Sequence, residues 1–340
     1  MKALRYMGPE ALEHGEVNVP EMVPGYARIR ISYCGICGGD MGIYAGTHPR
    51  AKAPLIPGHE FVGVVEESSG DGRFQKGDRV VPFPLVTCGH CISCRNGIPH
   101  ICQTLRLLGI DMDGGMANYA VVREDMLVKV PDALSDLQAA LIEPLAVAVR
   151  AIHQSRYQFL DTAVVMGAGP IGILNALVLK RSAASVLIVS DLEQKRLDLC
   201  GELGLETVNS AQVDLEEYVY KRTEGDGADI VYECSGTEAA TFQATRLAKM
   251  EGMICMTGIH KKPHVSNLPE FSFKEQTMVA TRCYTRGEFE RAARLAVEMK
   301  EKLSKLVSHI IPLWDGAEAF SLIKNNSSET MKVLIDCQEQ

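Results

Sequence analysis

The sequence predicts an α/β protein of two domains, a β-rich domain interrupted by a second one built on a parallel sheet. Three observations predict it. The chain has 340 residues, more than a single hydrophobic core usually serves. Near residue 160 the pattern changes from short strands between Gly/Pro turns to unbroken apolar runs alternating with helical segments. Near residue 286 it changes again, to a helix-and-strand tail too small to fold alone. The expected division is 1–150, with 286–340 returning to it, and 151–285 inserted between them.

In the first segment Ala27-Arg28-Ile29-Arg30-Ile31-Ser32-Tyr33 alternates with period two, and Phe61-Val62-Gly63-Val64-Val65 and Arg79-Val80-Val81 are similar runs. The second segment offers Ala163–Met166, Val186–Val189, Ile230–Tyr232, Met253–Met256 and Met278–Ala280, strands of a parallel sheet covered on both faces. In the tail, Phe289, Ala292, Ala293, Ala296, Met299 and Leu303 share one side of a helix, and Val333-Leu334-Ile335 reads as a last strand.

Apolar residues make up 46% and charged residues 23%, a globular balance that excludes a disordered or fibrous chain. A net charge of −8 without a basic run points away from nucleic acid and from membrane surfaces. No run approaches the roughly 18 apolar residues of a membrane span, and Met1–Tyr6 opens no signal-peptide core, so a soluble, cytoplasmic protein is expected.

Met166-Gly167-Ala168-Gly169-Pro170-Ile171-Gly172 contains G-x-G-x-x-G between a strand and a helix. Gly167 makes the tight turn, Gly169 lets backbone approach a pyrophosphate, and Gly172 allows close helix–strand packing. Pro170 and Ile171 open the helix whose N-terminus receives the anion. Asp191, 19 residues after Gly172, ends the next strand where a carboxylate accepts hydrogen bonds from an adenosine ribose. It would repel a 2′-phosphate, so NAD is expected over NADP, with Arg196 close by to soften the preference.

Eleven cysteines in a long chain without an export signal read as metal ligands and buried hydrophobes rather than disulfides. Cys88, Cys91, Cys94 and Cys102, at spacings of three, three and eight, give four thiols for a closed tetrahedral, structural zinc; His90 falls between them and is not expected to ligate. Cys34-Gly-Ile-Cys37 looks at first like a redox C-x-x-C, but it does not head a thioredoxin-like βαβ unit. Pro57-Gly58-His59-Glu60 and Leu141-Ile142-Glu143-Pro144 follow, so one thiolate, one imidazole and one or two carboxylates are available for an open, mixed-ligand catalytic zinc. Spacing alone does not assemble residues so far apart.

With these motifs in this order, including Gly77-Asp78-Arg79-Val80, the chain resembles the medium-chain, zinc-containing alcohol dehydrogenases over essentially its whole length. The resemblance implies a GroES-like β-barrel catalytic domain with an inserted Rossmann domain, a doubly wound parallel sheet, and a homodimer or homotetramer. It implies two zinc ions per chain, one catalytic and one structural, and NAD as cofactor. By position, Cys37, His59 and Glu143 correspond to the catalytic zinc ligands, Glu60 to an acid that joins when water or substrate leaves, and Cys34 to packing. Glu143 in place of a second cysteine resembles the sorbitol, butanediol, threonine and sugar-acid branch. Thr281-Arg282 resembles a segment that brings an arginine near substrate in that branch.

Two positions depart from the family. Gly39 and Gly42 stand where a hydroxyl and an imidazole usually carry the alcohol proton outward. Tyr44, His48 and Glu60 are the candidates for another relay. The expected activity is hydride transfer from a polyol or sugar acid to NAD, promoted by a Lewis-acidic zinc. Two rivals stand beside it: an epimerase or lyase that oxidises and re-reduces its substrate with bound NAD, and a non-catalytic nucleotide-binding protein of the same fold.

Overall fold

A computed structural model describes residues 1–338. They form two compact units, Met1–Glu143 with the chain from Thr285 onward, and Pro144–Tyr284. The first border falls after Glu143, inside the helix Ile142–Gln154.

The first unit is organised by the strand Tyr26–Gly35. Its alternating Ala27, Ile29 and Ile31 are fully buried, the period-two burial of a strand with one face on a core. It pairs antiparallel with Glu60–Ser68, Tyr119–Arg123 and the C-terminal strand Lys332–Asp336, within a seven-stranded sheet. Gly35 stands opposite both Leu334 and Glu60, which brings residues about 300 positions apart to one end of the sheet. The helix Arg286–Leu306 opens on a capping box between Thr285 and Glu288. It buries the expected stripe of Phe289, Ala292, Ala293, Ala296, Met299 and Leu303.

The second unit holds a six-stranded parallel sheet. Its strands run in the order Glu206–Asn209, Leu187–Asp191, Ala163–Met166, Ala228–Glu233, Ala248–Met256, Thr277–Ala280. All four residues of Ala163–Met166 are buried, as a central strand covered on both faces requires. The strand read from the sequence as Met253–Met256 begins at Ala248. A register shift opposite Ala228–Ile230 and the positive φ of 54° at Glu251 interrupt it in a polar stretch that hides its start. Among the described residues no helix is long and apolar enough to cross a membrane.

Candidate active site

Cys88, Cys91, Cys94 and Cys102 converge in one lobe of the first unit. Their sulfurs stand 3.5 Å (Cys91–Cys94, Cys88–Cys102), 3.8 Å (Cys91–Cys102) and 4.0 Å (Cys88–Cys94) apart. That is far beyond a disulfide bond and close to the ~3.8 Å edge of a tetrahedron of sulfurs around zinc. The N–H groups of His90 and Cys91 bring the Cys88 thiol down to about 5. Desolvation pushes Cys94 up to about 11. His90 turns its Nδ1 to the Cys88 carbonyl, 2.8 Å away, and stays outside the sulfur set.

The second cluster joins Cys37, His59 and Glu60, whose ligand atoms all lie within 4.8 Å of one another. Cys37 is the N-cap of the helix Gly38–Tyr44, and its backbone N–H donates to Asp40 Oδ2 at 2.8 Å. The Gly39 N–H donates to Cys37 Sγ at 3.4 Å and holds it in place. Asp40 is fully buried; its Oδ1 accepts from the Gly58 N–H and stands 3.8 Å from His59 Nδ1. Burial alone would depress the His59 imidazole, but Asp40, Cys37 and Glu143 outweigh it and hold its pKa well above the usual value. Burial pushes the Cys37 thiol up, partly offset by His59.

Glu60 extends across Gly35, where a Cβ would come within 2.4 Å of its Oε2. That oxygen pairs with Lys332 Nζ at 2.5 Å, both side chains being buried, and the ammonium also donates to the Ile36 carbonyl at 3.2 Å. Burial works against the charge on Lys332 and Glu60 restores it, with a net rise in pKa. Glu143, half-buried near the start of its helix, acts electrostatically on His59 and Lys332 but stands outside the compact trio. The carboxylate that closes on Cys37 and His59 here is Glu60.

The remaining candidates separate. Tyr44 packs its ring on Phe320, centroids 5.4 Å apart, as a core residue. His48 accepts at Nδ1 from the N–H groups of Arg50 and Ala51, and burial and then Arg50 lower its pKa, which keeps it neutral. Cys34 is fully buried and is not part of the trio. In the second unit Gly167 has φ 102°, and a Cβ on Gly172 would lie 1.8 Å from the Gly167 carbonyl oxygen, so only glycine fits there. Gly169 caps the helix Pro170–Arg181, with Pro170 and Ile171 in its first turn. Asp191 Oδ2 accepts from the Ala168 N–H at 2.6 Å and lies 3.8 Å from Arg196. Arg282 is exposed just beyond Thr277–Ala280, at the same end of the sheet as the glycine turn.

Residues 23–132 match the alcohol dehydrogenase GroES-like domain family and residues 170–298 the zinc-binding dehydrogenase family. The chain is 36% identical to 2-dehydro-3-deoxy-L-galactonate 5-dehydrogenase of Pseudoalteromonas atlantica, with all of both chains covered. It belongs to the zinc-containing medium-chain alcohol dehydrogenases, in their polyol branch. This dehydrogenase superimposes on 2R,3R-butanediol dehydrogenase of Bacillus subtilis with a TM-score of 0.91 at 30% identity, covering 98% of this chain and 99% of that one. An alcohol dehydrogenase of Escherichia coli solved with NADH gives 0.90 at 30% identity, 99% of each chain being covered. The chain is therefore an oxidoreductase acting on secondary alcohols.

Two residues of the dehydrogenase's site were not assigned from the sequence. Asp40 had a local signal, since an acid three residues after an N-cap is a capping-box pattern. Lys332 had none, being a lysine at the head of an apolar strand about 270 residues from its partner. The donor set suits a zinc. Sulfur, nitrogen and oxygen atoms of Cys37, His59 and Glu60 converge within 4.8 Å of one another.

Proposed function

We propose that the enzyme is an NAD-linked, zinc-dependent dehydrogenase that oxidises a secondary hydroxyl of a polyol or sugar acid. The observation that carries this reading is the convergence of Cys37, His59 and Glu60 on one buried point, with Glu143 in electrostatic reach. The relatives named for a galactonate derivative and for butanediol act on substrates of this class. Cys37, His59 and Glu143 would hold the zinc, with Glu60 exchanging for Glu143 or water, and Cys88, Cys91, Cys94 and Cys102 would hold a second, structural one. Held by these residues, a zinc would supply Lewis acidity toward the hydroxyl, and NAD would be the hydride acceptor.

The chain's own groups set the conditions. Asp40 positions His59 and Cys37, and Lys332 offsets the negative charge of Glu60 beside an already acidic ligand set. Of the relay candidates, Tyr44 is packed on Phe320 and Glu60 is tied to Lys332, which leaves His48 by elimination. The absence of a hydroxyl at Gly39 and an imidazole at Gly42 favours a second reading, transient oxidation with cofactor that never leaves. A screen of polyols, aldonates and amino-alcohols decides between them: free NADH accumulating with a ketone product supports the dehydrogenase, and product without free NADH supports the alternative.

Gly39 offers a direct probe. A Cβ there would stand 3.9 Å from both Cys37 Sγ and His59 Cε1, ordinary contact, so Gly39→Ser folds and sets a hydroxyl beside the ligands. Where substrate uses that space, the variant lowers kcat/KM on the natural polyol or acid and raises it on a small alcohol. Unchanged kinetics on both would remove Gly39 from proton transfer and from substrate fit.

Asp191 should set cofactor choice. The enzyme is expected to prefer NAD, and Asp191→Ala to narrow the NAD/NADP ratio of kcat/KM by roughly tenfold through loss of one like-charge contact. A wild-type preference for NADP would contradict the assignment.

A further inference from the structure

The strand order of the parallel sheet reverses between Ala163–Met166 and Ala228–Glu233. Such a switch point leaves a crevice outside the carboxyl ends of the strands, where dinucleotides bind. The glycine turn and Asp191 furnish its adenosine side, over Ala163–Met166 and Leu187–Asp191. The nicotinamide side lies over Ala228–Glu233 and Ala248–Met256, and there the structure holds a cluster that no motif announced.

Glu233, the last residue of its strand, is fully buried. Its Oε1 accepts from the N–H groups of Ser235 at 2.8 Å and Gly236 at 2.9 Å, which shapes the turn. Its Oε2 stands 3.1 Å from Nε2 of His260, an ion-pair contact without hydrogen-bond alignment, and neither atom has a hydrogen-bond partner. His260 follows the neighbouring strand and is 24% exposed, so one edge of the ring is anchored and another is open. Its Nδ1 lies 3.2 Å from Nδ1 of His264, the rings meeting edge to face. The two loops are pressed together: a Cβ on Gly258 would lie 2.5 Å from Gly236 N and 2.7 Å from Glu233 Oε2. His260 therefore sits on a fixed platform.

A carboxylate facing one ring nitrogen selects the tautomer that carries its proton there. With Glu233 opposite Nε2, the Nδ1 of His260 offers a lone pair, and a ribose hydroxyl is a donor that matches it. We propose that His260, positioned by Glu233, accepts a hydrogen bond from the nicotinamide-side ribose of the cofactor, and that His264 leaves Nδ1 when the ribose arrives. This rests on reading the crevice as a dinucleotide site.

Equilibrium titration without substrate tests it, using AMP, ADP-ribose and NADH on the zinc-loaded enzyme. AMP carries only the adenosine side, ADP-ribose adds the second ribose, and NADH adds the nicotinamide. His260→Ala is expected to weaken ADP-ribose and NADH by about tenfold, the worth of one hydrogen bond, and to leave AMP unchanged. Glu233→Gln should weaken the same two ligands and spare AMP. His264→Ala frees the lone pair and should leave NADH binding unchanged or tighter. Unchanged NADH affinity in His260→Ala overturns the proposal. So does an equal loss in His264→Ala, which would mark the pair as a loop clip, or a loss of AMP with the rest. Wild-type enzyme that binds none of the three would instead overturn the dinucleotide reading itself.

Discussion

Replacing Lys332 by Met is expected to destabilise the first unit by about 3–5 kcal/mol, the cost of leaving one partner of a buried ion pair uncompensated. Glu60 and Lys332 are 1% and 3% exposed, and the other short contact of the ammonium is the Ile36 carbonyl. At that burial the carboxylate is poorly solvated once the lysine is gone. The double variant Lys332→Met with Glu60→Gln removes both charges and should recover most of the loss, since a buried pair gains little over neutral replacements of similar size. Denaturant unfolding of the two variants checks this. The loss should be largest in metal-free enzyme, because a zinc beside Cys37 and His59 gives Glu60 another cation to face. Equal stability of Lys332→Met and wild type, with and without metal, would show that the pair is incidental.

Cys91→Ser should have an effect of the same order on the cysteine lobe. A set of four thiols is closed, and removing one leaves a site that binds zinc far more weakly, with the folding free energy of the lobe tied to that binding. The lobe has little else to hold it: its helix Ile92–Arg95 has four residues, and Ile92, Ile98 and Ile101 are exposed. Metal analysis should find one zinc fewer per chain, and proteolysis should cut first within the lobe, while AMP binding in the other unit is unchanged. Full retention of metal with unchanged protease resistance would show that the four cysteines are not a zinc site.

How much of this was legible in the sequence varied with the range of the interaction. The cysteine lobe is local, four ligands within 15 positions, and the glycine motif lies between its own strand and helix, so both could be read from spacing. The catalytic cluster is not local. Cys37, His59, Glu143 and Glu60 were placed by resemblance, and of the two glutamates Glu60 is the one that groups with Cys37 and His59, because Gly35 leaves it room to turn inward. Lys332 reaches it only because the C-terminal strand pairs beside Tyr26–Gly35, a register that no local pattern encodes. Tyr44 shows the converse, a hydroxyl near the motif in sequence whose ring the fold uses for packing.

The central claim is that a zinc held by the Cys37–His59 cluster is required for hydride transfer, and zinc occupancy measured together with turnover tests it most directly. Chelation should remove the metal of this open, mixed-ligand site before that of the closed cysteine set. Dehydrogenase activity should fall in proportion to the first zinc lost and return when one equivalent is restored. In Cys37→Ala the enzyme should retain the structural zinc, bind NADH, and show no turnover at any zinc concentration. Full activity in enzyme that holds only the cysteine-lobe zinc would contradict the account.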